Sequence, residues 1–158
     1  MANDGGMLGR LEEWIAATLT ALQSGGADVF RTAAVWKHQI AVGGAGVESF
    51  DALQPFAFAA YAGARVDRQG DGDLRQIFEF AVLIGVASKE PGVCRIGDAS
   101  NLGTSKIREL VIGAMEGVHP GTGFTTDEFN YVGEDEFVDL PTKHGISMRF
   151  EIPWINVS

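Results

Sequence analysis

Positions 143–156 hold the clearest pattern in the chain. Ile146, Met148, Phe150, Ile152 and Trp154 alternate with Ser147, Arg149, Glu151 and Pro153, so apolar residues recur every second position to within four residues of the end. Successive side chains of a strand point to opposite faces, so this spacing predicts a half-buried strand that closes a core. Positions 76–88 repeat the pattern, with Phe78, Phe80, Val82, Ile84 and Val86 on one face.

Elsewhere the period changes to three and four. Leu8, Leu11, Ile15, Leu19 and Leu22 form one stripe of an amphipathic helix, widened by Trp14 and Ala21. Asn3 or Asp4 is its expected cap and Gly25-Gly26 its end. A second helix is expected over 102–117, from Leu102, Ile107, Leu110, Val111, Ala114 and Met115, with Asp98 or Ser100 as cap and Gly117 as terminator.

Shorter apolar runs complete the sheet. A first strand is expected within 27–40, carried by Val29, Val35, Trp36 and Ile40 and broken by Gly43-Gly44-Ala45-Gly46. Positions 50–55 read as a connection. A second strand is expected over 56–62, with Phe56 and Phe58 on one face and Ala57, Ala59 and Tyr61 on the other. Small side chains on one strand face admit a helix or a neighbouring subunit at close range. Positions 65–73 then read as a hairpin loop, because Gly70-Asp71-Gly72 supplies turn conformations. Positions 89–101 are polar and irregular. Phe129, Tyr131 and Val132 begin a fourth strand, and 133–137, Gly-Glu-Asp-Glu-Phe, read as an acidic loop. The expectation is a single α+β domain over 1–158: a mostly antiparallel sheet of four to five strands with two α-helices packed on one face.

Composition narrows the functional classes. The chain has 158 residues, of which 46% are apolar, enough for one sizeable core. Its 21 glycines fall mostly between the periodic segments. No run approaches the ~18 apolar residues of a membrane span. The opening Met-Ala-Asn-Asp-Gly-Gly lacks the basic and then apolar character of a secretory leader. One cysteine, Cys94, excludes an internal disulfide and fits a cytoplasm. With 12 basic residues against 21 acidic ones, the net charge of −9 argues against tight or sequence-specific nucleic-acid binding, which needs Lys and Arg to replace phosphate counterions. It leaves room for a surface that repels phosphate and lets DNA slide past.

Candidate chemistry is sparse. Asp67-Arg-Gln-Gly-Asp71-Gly-Asp73 has acids but not the spacing or helical flanks of a calcium loop, and reads as a solvated hairpin tip. Positions 97–106, Gly-Asp-Ala-Ser-Asn-Leu-Gly-Thr-Ser-Lys, reverse the Gly-Lys-Ser/Thr order of a phosphate loop and read as a helix entry. Cys94 and the scattered His38, His119 and His144 sit in no nucleophile motif, and no histidine has a partner at metal-ligand spacing. Neither catalytic residues nor a cofactor or metal is expected. His144 is expected at a strand start and His119 in a turn. The acids Glu134, Asp135, Glu136 and Asp139 are either a solvated loop or a surface over which DNA passes.

The order of elements resembles that of the Mu-like phage tail proteins related to tail terminators. The resemblance rests on the helix over 8–22, the strand over 55–63, the loop to the strand over 78–86, the helix over 107–115 and the closing strand over 146–152. It implies a structural protein of the virion tail or neck, assembled in the host cytoplasm. Such proteins form a hexameric ring on the tail tube, stop its polymerisation and offer a docking face to the head connector. The implied partners are further copies of the chain, the tail tube protein and a head-side connector. The two acidic segments, Asp67, Asp71 and Asp73 with Glu134, Asp135, Glu136 and Asp139, would then face the lumen. A head–tail joining protein is the neighbouring reading. A small-molecule-binding α+β domain with a pocket along 57–62, or a small hydrolase using Cys94, are readings from other classes.

Overall fold

The two long alternating segments pair with each other. β5 (Leu74–Ala87) and β7 (Lys143–Trp154) are antiparallel neighbours, with Phe80 opposite Phe150, Val82 opposite Met148 and Ile84 opposite Ile146. Because strand side chains alternate, this register puts both apolar stripes on the same face, and a slip of one residue would send one stripe to the other side. The computed structural model describes residues 6–38, 53–68 and 74–154.

Around this pair, β4 (Phe56–Arg68) joins β5 as a long hairpin and β6 (Asn130–Leu140) joins β7 as another. β3 (Thr32–Val35) runs parallel to β4, giving the order β3-β4-β5-β7-β6. Among the described residues three helices complete the fold: α1 (Gly6–Ala21), the single turn α2 (Val93–Ile96) and α3 (Thr104–Met115). The class is α+β, as the pattern predicted.

Helix α1 buries Leu11, Ile15 and Leu19 completely, and α3 buries Ile107, Val111 and Met115. Both stripes meet Phe80, Val82, Ile84, Met148 and Phe150 in one core, so both helices lie on the same sheet face. Each such side chain contributes about 1.5–3 kcal/mol by leaving water. Ala57 and Ala59 belong to this core as well. The approach that small residues allow is therefore made by α1, whose Glu12 also accepts a hydrogen bond from the Tyr61 backbone N–H at 3.0 Å.

The opposite face carries a second cluster, Phe56, Phe58 and Leu83 with Ala34, Trp36 and Phe137 against it. Gly85 and Gly145 stand opposite each other beneath it. A Cβ on Gly85 would lie 2.1 Å from the Phe56 ring, and one on Gly145 would lie 2.5 Å from the Phe137 ring. The glycines are the floor on which the rings rest.

Several expectations change. The first strand shrinks to β3, while Gln23–Ser24 (β1) and Ala27–Asp28 (β2) form a separate ribbon turning on Gly25 and Gly26, both at positive φ. Ile40, the 43–46 glycines, Asn3, Asp4, Asp71 and Asp73 lie outside the described residues. β4 runs on to Arg68 rather than ending at 62, past a bulge at Gly63 (φ 132°). Positions 65–68, with Asp67, are thus strand and not loop, because Arg65 to Arg68 each face a β5 partner. Neither proposed cap serves α3: its N-cap is Gly103, with no side-chain bond. A Cβ there would meet the Arg95 carbonyl at 2.4 Å, so α2 packs too close for a capping side chain. Gly117, at φ 72°, follows the end of α3 as expected.

Candidate functional site

The largest correction concerns the acids after Tyr131. Glu134, Asp135, Glu136 and Asp139 lie on β6, paired residue by residue with β7, and not in a loop. Four carboxylates in six positions would destabilise a strand by repulsion if they stood alone. Each instead meets a cation from another element. Arg108 of α3 bonds Glu134, Arg149 of β7 bonds Asp135, and Arg95 of α2 bonds both Glu136 and Asp139. Two bulges, at Tyr131/Gly133 and Glu136/Val138, adjust which way these side chains point.

At one end of the row, Glu134 also accepts from the Tyr131 hydroxyl, and Arg108 reaches that hydroxyl at 3.4 Å. The bond to Glu134 is the main reason the Arg108 pKa is raised, so this guanidinium stays charged. Loss of solvent raises the Tyr131 pKa, and the Glu134 carboxylate adds to the effect.

At the other end, Glu136, Asp139 and His144 bring one ligand atom each to within 4.8 Å of one another. Asp139 is the cross-strand partner of His144. His144 Nε2 is 2.6 Å from Glu136 Oε2, and its Nδ1 is hydrogen-bonded to Thr104 Oγ1 at the first turn of α3. His144 is 6% exposed and Thr104 1%. A hydroxyl, an imidazole and a carboxylate thus follow one another from the core to the surface. The hydroxyl is the buried end, so its role is to hold the ring and not to attack a substrate. Sequence spacing missed this set because its members come from both arms of a hairpin and from a helix start.

Cys94 is 1% exposed, its thiol points at the carbonyls of Leu140 and Pro141, and burial raises its pKa, which opposes nucleophilic use. His119 accepts from the Gly121 N–H on Nδ1, so its Nε2–H donates to the Thr126 carbonyl at 3.0 Å and pins a turn. The His38 ring lies tilted against Trp36, with centroids 5.2 Å apart. In the helix entry at 97–106, the Asp98 carboxylate accepts from the Ser100 and Asn101 N–H groups, so an internal anion already takes the donors a phosphate would need. Exposed Asp67 is on β4, away from the β6 row in sheet order.

A cleft of about 690 Å³ opens beside α2, lined by Asp28, Arg31, Gln54, Ser88, Asp98 and Asn101 among others. It does not follow the alanine face of β4, which α1 covers. Among the described residues no helix is long and apolar enough to cross a membrane. No family model matches the chain, and no curated protein matches it significantly in sequence.

Proposed function

We propose that this chain is a structural subunit of a phage virion, a tail terminator that assembles as a ring of six on the tail tube, stops its growth and presents a face to the head connector. The observation that carries this reading is β6. It is an eleven-residue strand at the edge of the sheet, with a β-neighbour on one side only among the described residues. A free strand edge offers unpaired backbone donors and acceptors to another chain. Among the described residues the other edge of the sheet is β3, so joining one edge to the opposite edge of the next copy is a head-to-tail contact, the kind that closes into rings.

The net charge of −9 suits a lumen that DNA must traverse. The β6 acids contribute less to it than their number suggests, because arginines of the same chain offset them. Purified protein imaged with and without tail tubes tests the proposal: rings seated at tube ends support it, and a monomer indifferent to tubes defeats it. The cleft beside α2 favours a second reading, a small-molecule-binding domain, for which ligand-dependent thermal shifts are the measurement.

A further inference from the structure

The end of β6 and the start of β7 hold a donor set that the ring reading does not use. Glu136 and Asp139 are exposed carboxylates on β6, and His144 is a buried imidazole on β7. The hairpin fixes their backbones, since Asp139 and His144 are register partners two residues from the turn at Pro141-Thr142. The ring of His144 is fixed separately. Thr104, from α3, engages Nδ1 in the interior, and Nε2 meets the Glu136 carboxylate. Metal-binding histidines are arranged this way, with the nitrogen that does not bind metal held by a further hydrogen-bonding group that sets tautomer and orientation.

A second observation shows what this place attracts. One nitrogen of Arg95, Nη2, lies between the two carboxylates, 3.2 Å from Glu136 Oε2 and in contact with Asp139. A positive charge already sits against both carboxylates of the donor set. The Arg95 side chain is 48% exposed and comes from the single-turn helix α2, so it can swing into solvent at little cost.

From this geometry we infer that Glu136, Asp139 and His144 bind a divalent first-row transition ion of the zinc class, with Arg95 as the competing cation it displaces. One imidazole nitrogen and two carboxylate oxygens are a three-ligand set that leaves a fourth position to water. Ligand atoms about 2.0–2.2 Å from one tetrahedral ion are about 3.4 Å apart. Glu136 must therefore draw back from the 2.6 Å hydrogen bond it now shares with His144 Nε2, and both exposed carboxylates can adjust by changing rotamer. The bound ion ties the end of β6 to β7 and releases α2 from its bridge. This inference stands independently of the ring reading.

The test uses the full chain, stripped with a chelator and titrated with Zn²⁺ by calorimetry and with Co²⁺ by visible absorption. One equivalent should bind, with the intense ligand-field bands of tetrahedral cobalt. Glu136→Gln and Asp139→Asn, both at exposed positions, should each weaken binding at least about tenfold, and Thr104→Val about tenfold through the ring it orients. Arg95→Ala should tighten binding about three- to tenfold by removing the competitor. Absence of stoichiometric binding overturns the inference. So does binding that Glu136→Gln and Asp139→Asn leave unchanged, and so does binding that appears only once Arg95 is removed.

Discussion

Thr104 Oγ1 and His144 Nδ1 are hydrogen-bonded inside the protein, joining the first turn of α3 to the start of β7 across forty residues of chain. Neither group has access to solvent in quantity, so neither can exchange its partner for water. A buried polar atom that loses its partner costs about 1–3 kcal/mol. Thr104→Val keeps the shape and deletes the hydroxyl, and should lower unfolding free energy by about that amount in urea titrations. An unchanged midpoint would mean that the contact contributes nothing to stability.

Gly85 and Gly145 test the floor beneath the aromatic cluster. Gly85→Ala places a methyl group inside the Phe56 ring, and Gly145→Ala does the same at Phe137. Each should destabilise by about 1–3 kcal/mol, the usual cost of overpacking. Gly113 is the control. It lies exposed within α3 with nothing near its missing Cβ, so Gly113→Ala should stabilise by about 0.5–1 kcal/mol. Thermal unfolding of the three variants side by side gives the signs.

Asp98 makes stability depend on acid. Bonds from the Ser100 N–H first, and then from Asn101, hold its pKa below the ordinary carboxylate value of about 4. A carboxylate lowered on folding contributes stability that is complete above its unfolded pKa and disappears as pH falls through the folded one. Asp98→Asn keeps an acceptor in the turn but cannot titrate. Its melting temperature should therefore fall less than that of the parent between pH 5 and the acid limit; parallel curves would contradict the assignment.

Cys94 should resist chemistry while the chain is folded. Its thiol is buried and its pKa raised by desolvation, so the thiolate is both scarce and shielded. Alkylation by iodoacetamide at pH 8 should be at least about a hundredfold slower in buffer than in urea, because it needs local opening. Equal rates would place the sulfur at the surface. Loss of an activity on rapid native alkylation would return the hydrolase reading to consideration.

The elements most legible from sequence are those whose burial is one-sided and regular. Phe78 to Val86 and Ile146 to Trp154 kept their period of two, and Leu11, Ile15 and Leu19 their period of four, because one face of each meets the core. β3 was harder to bound, since Thr32 to Val35 are all half-buried and show no alternation. The four residues of α2 are too few to display a helical period. In the candidate site, Glu136 and Asp139 were recognised only as part of an acidic run, and His144 only as the start of a strand. What joins them is the β6–β7 register, and what orients the imidazole is Thr104, which no local pattern connects to it.

By itself the amino-acid order determined the α+β class, the two principal helices, the two central strands and the apolar face they share. These follow from which side chains avoid water, and that preference is written at fixed intervals along a helix or a strand. The tertiary structure alone decided that the acids of β6 form a strand, and that Arg95, Arg108 and Arg149 arrive from three elements to neutralise them. It also decided that His144 meets the Glu136 carboxylate, with Asp139 across the strand from it. A row of like charges is tolerable in a strand only when counter-charges are brought beside it, and folding brings them from residues far away in sequence.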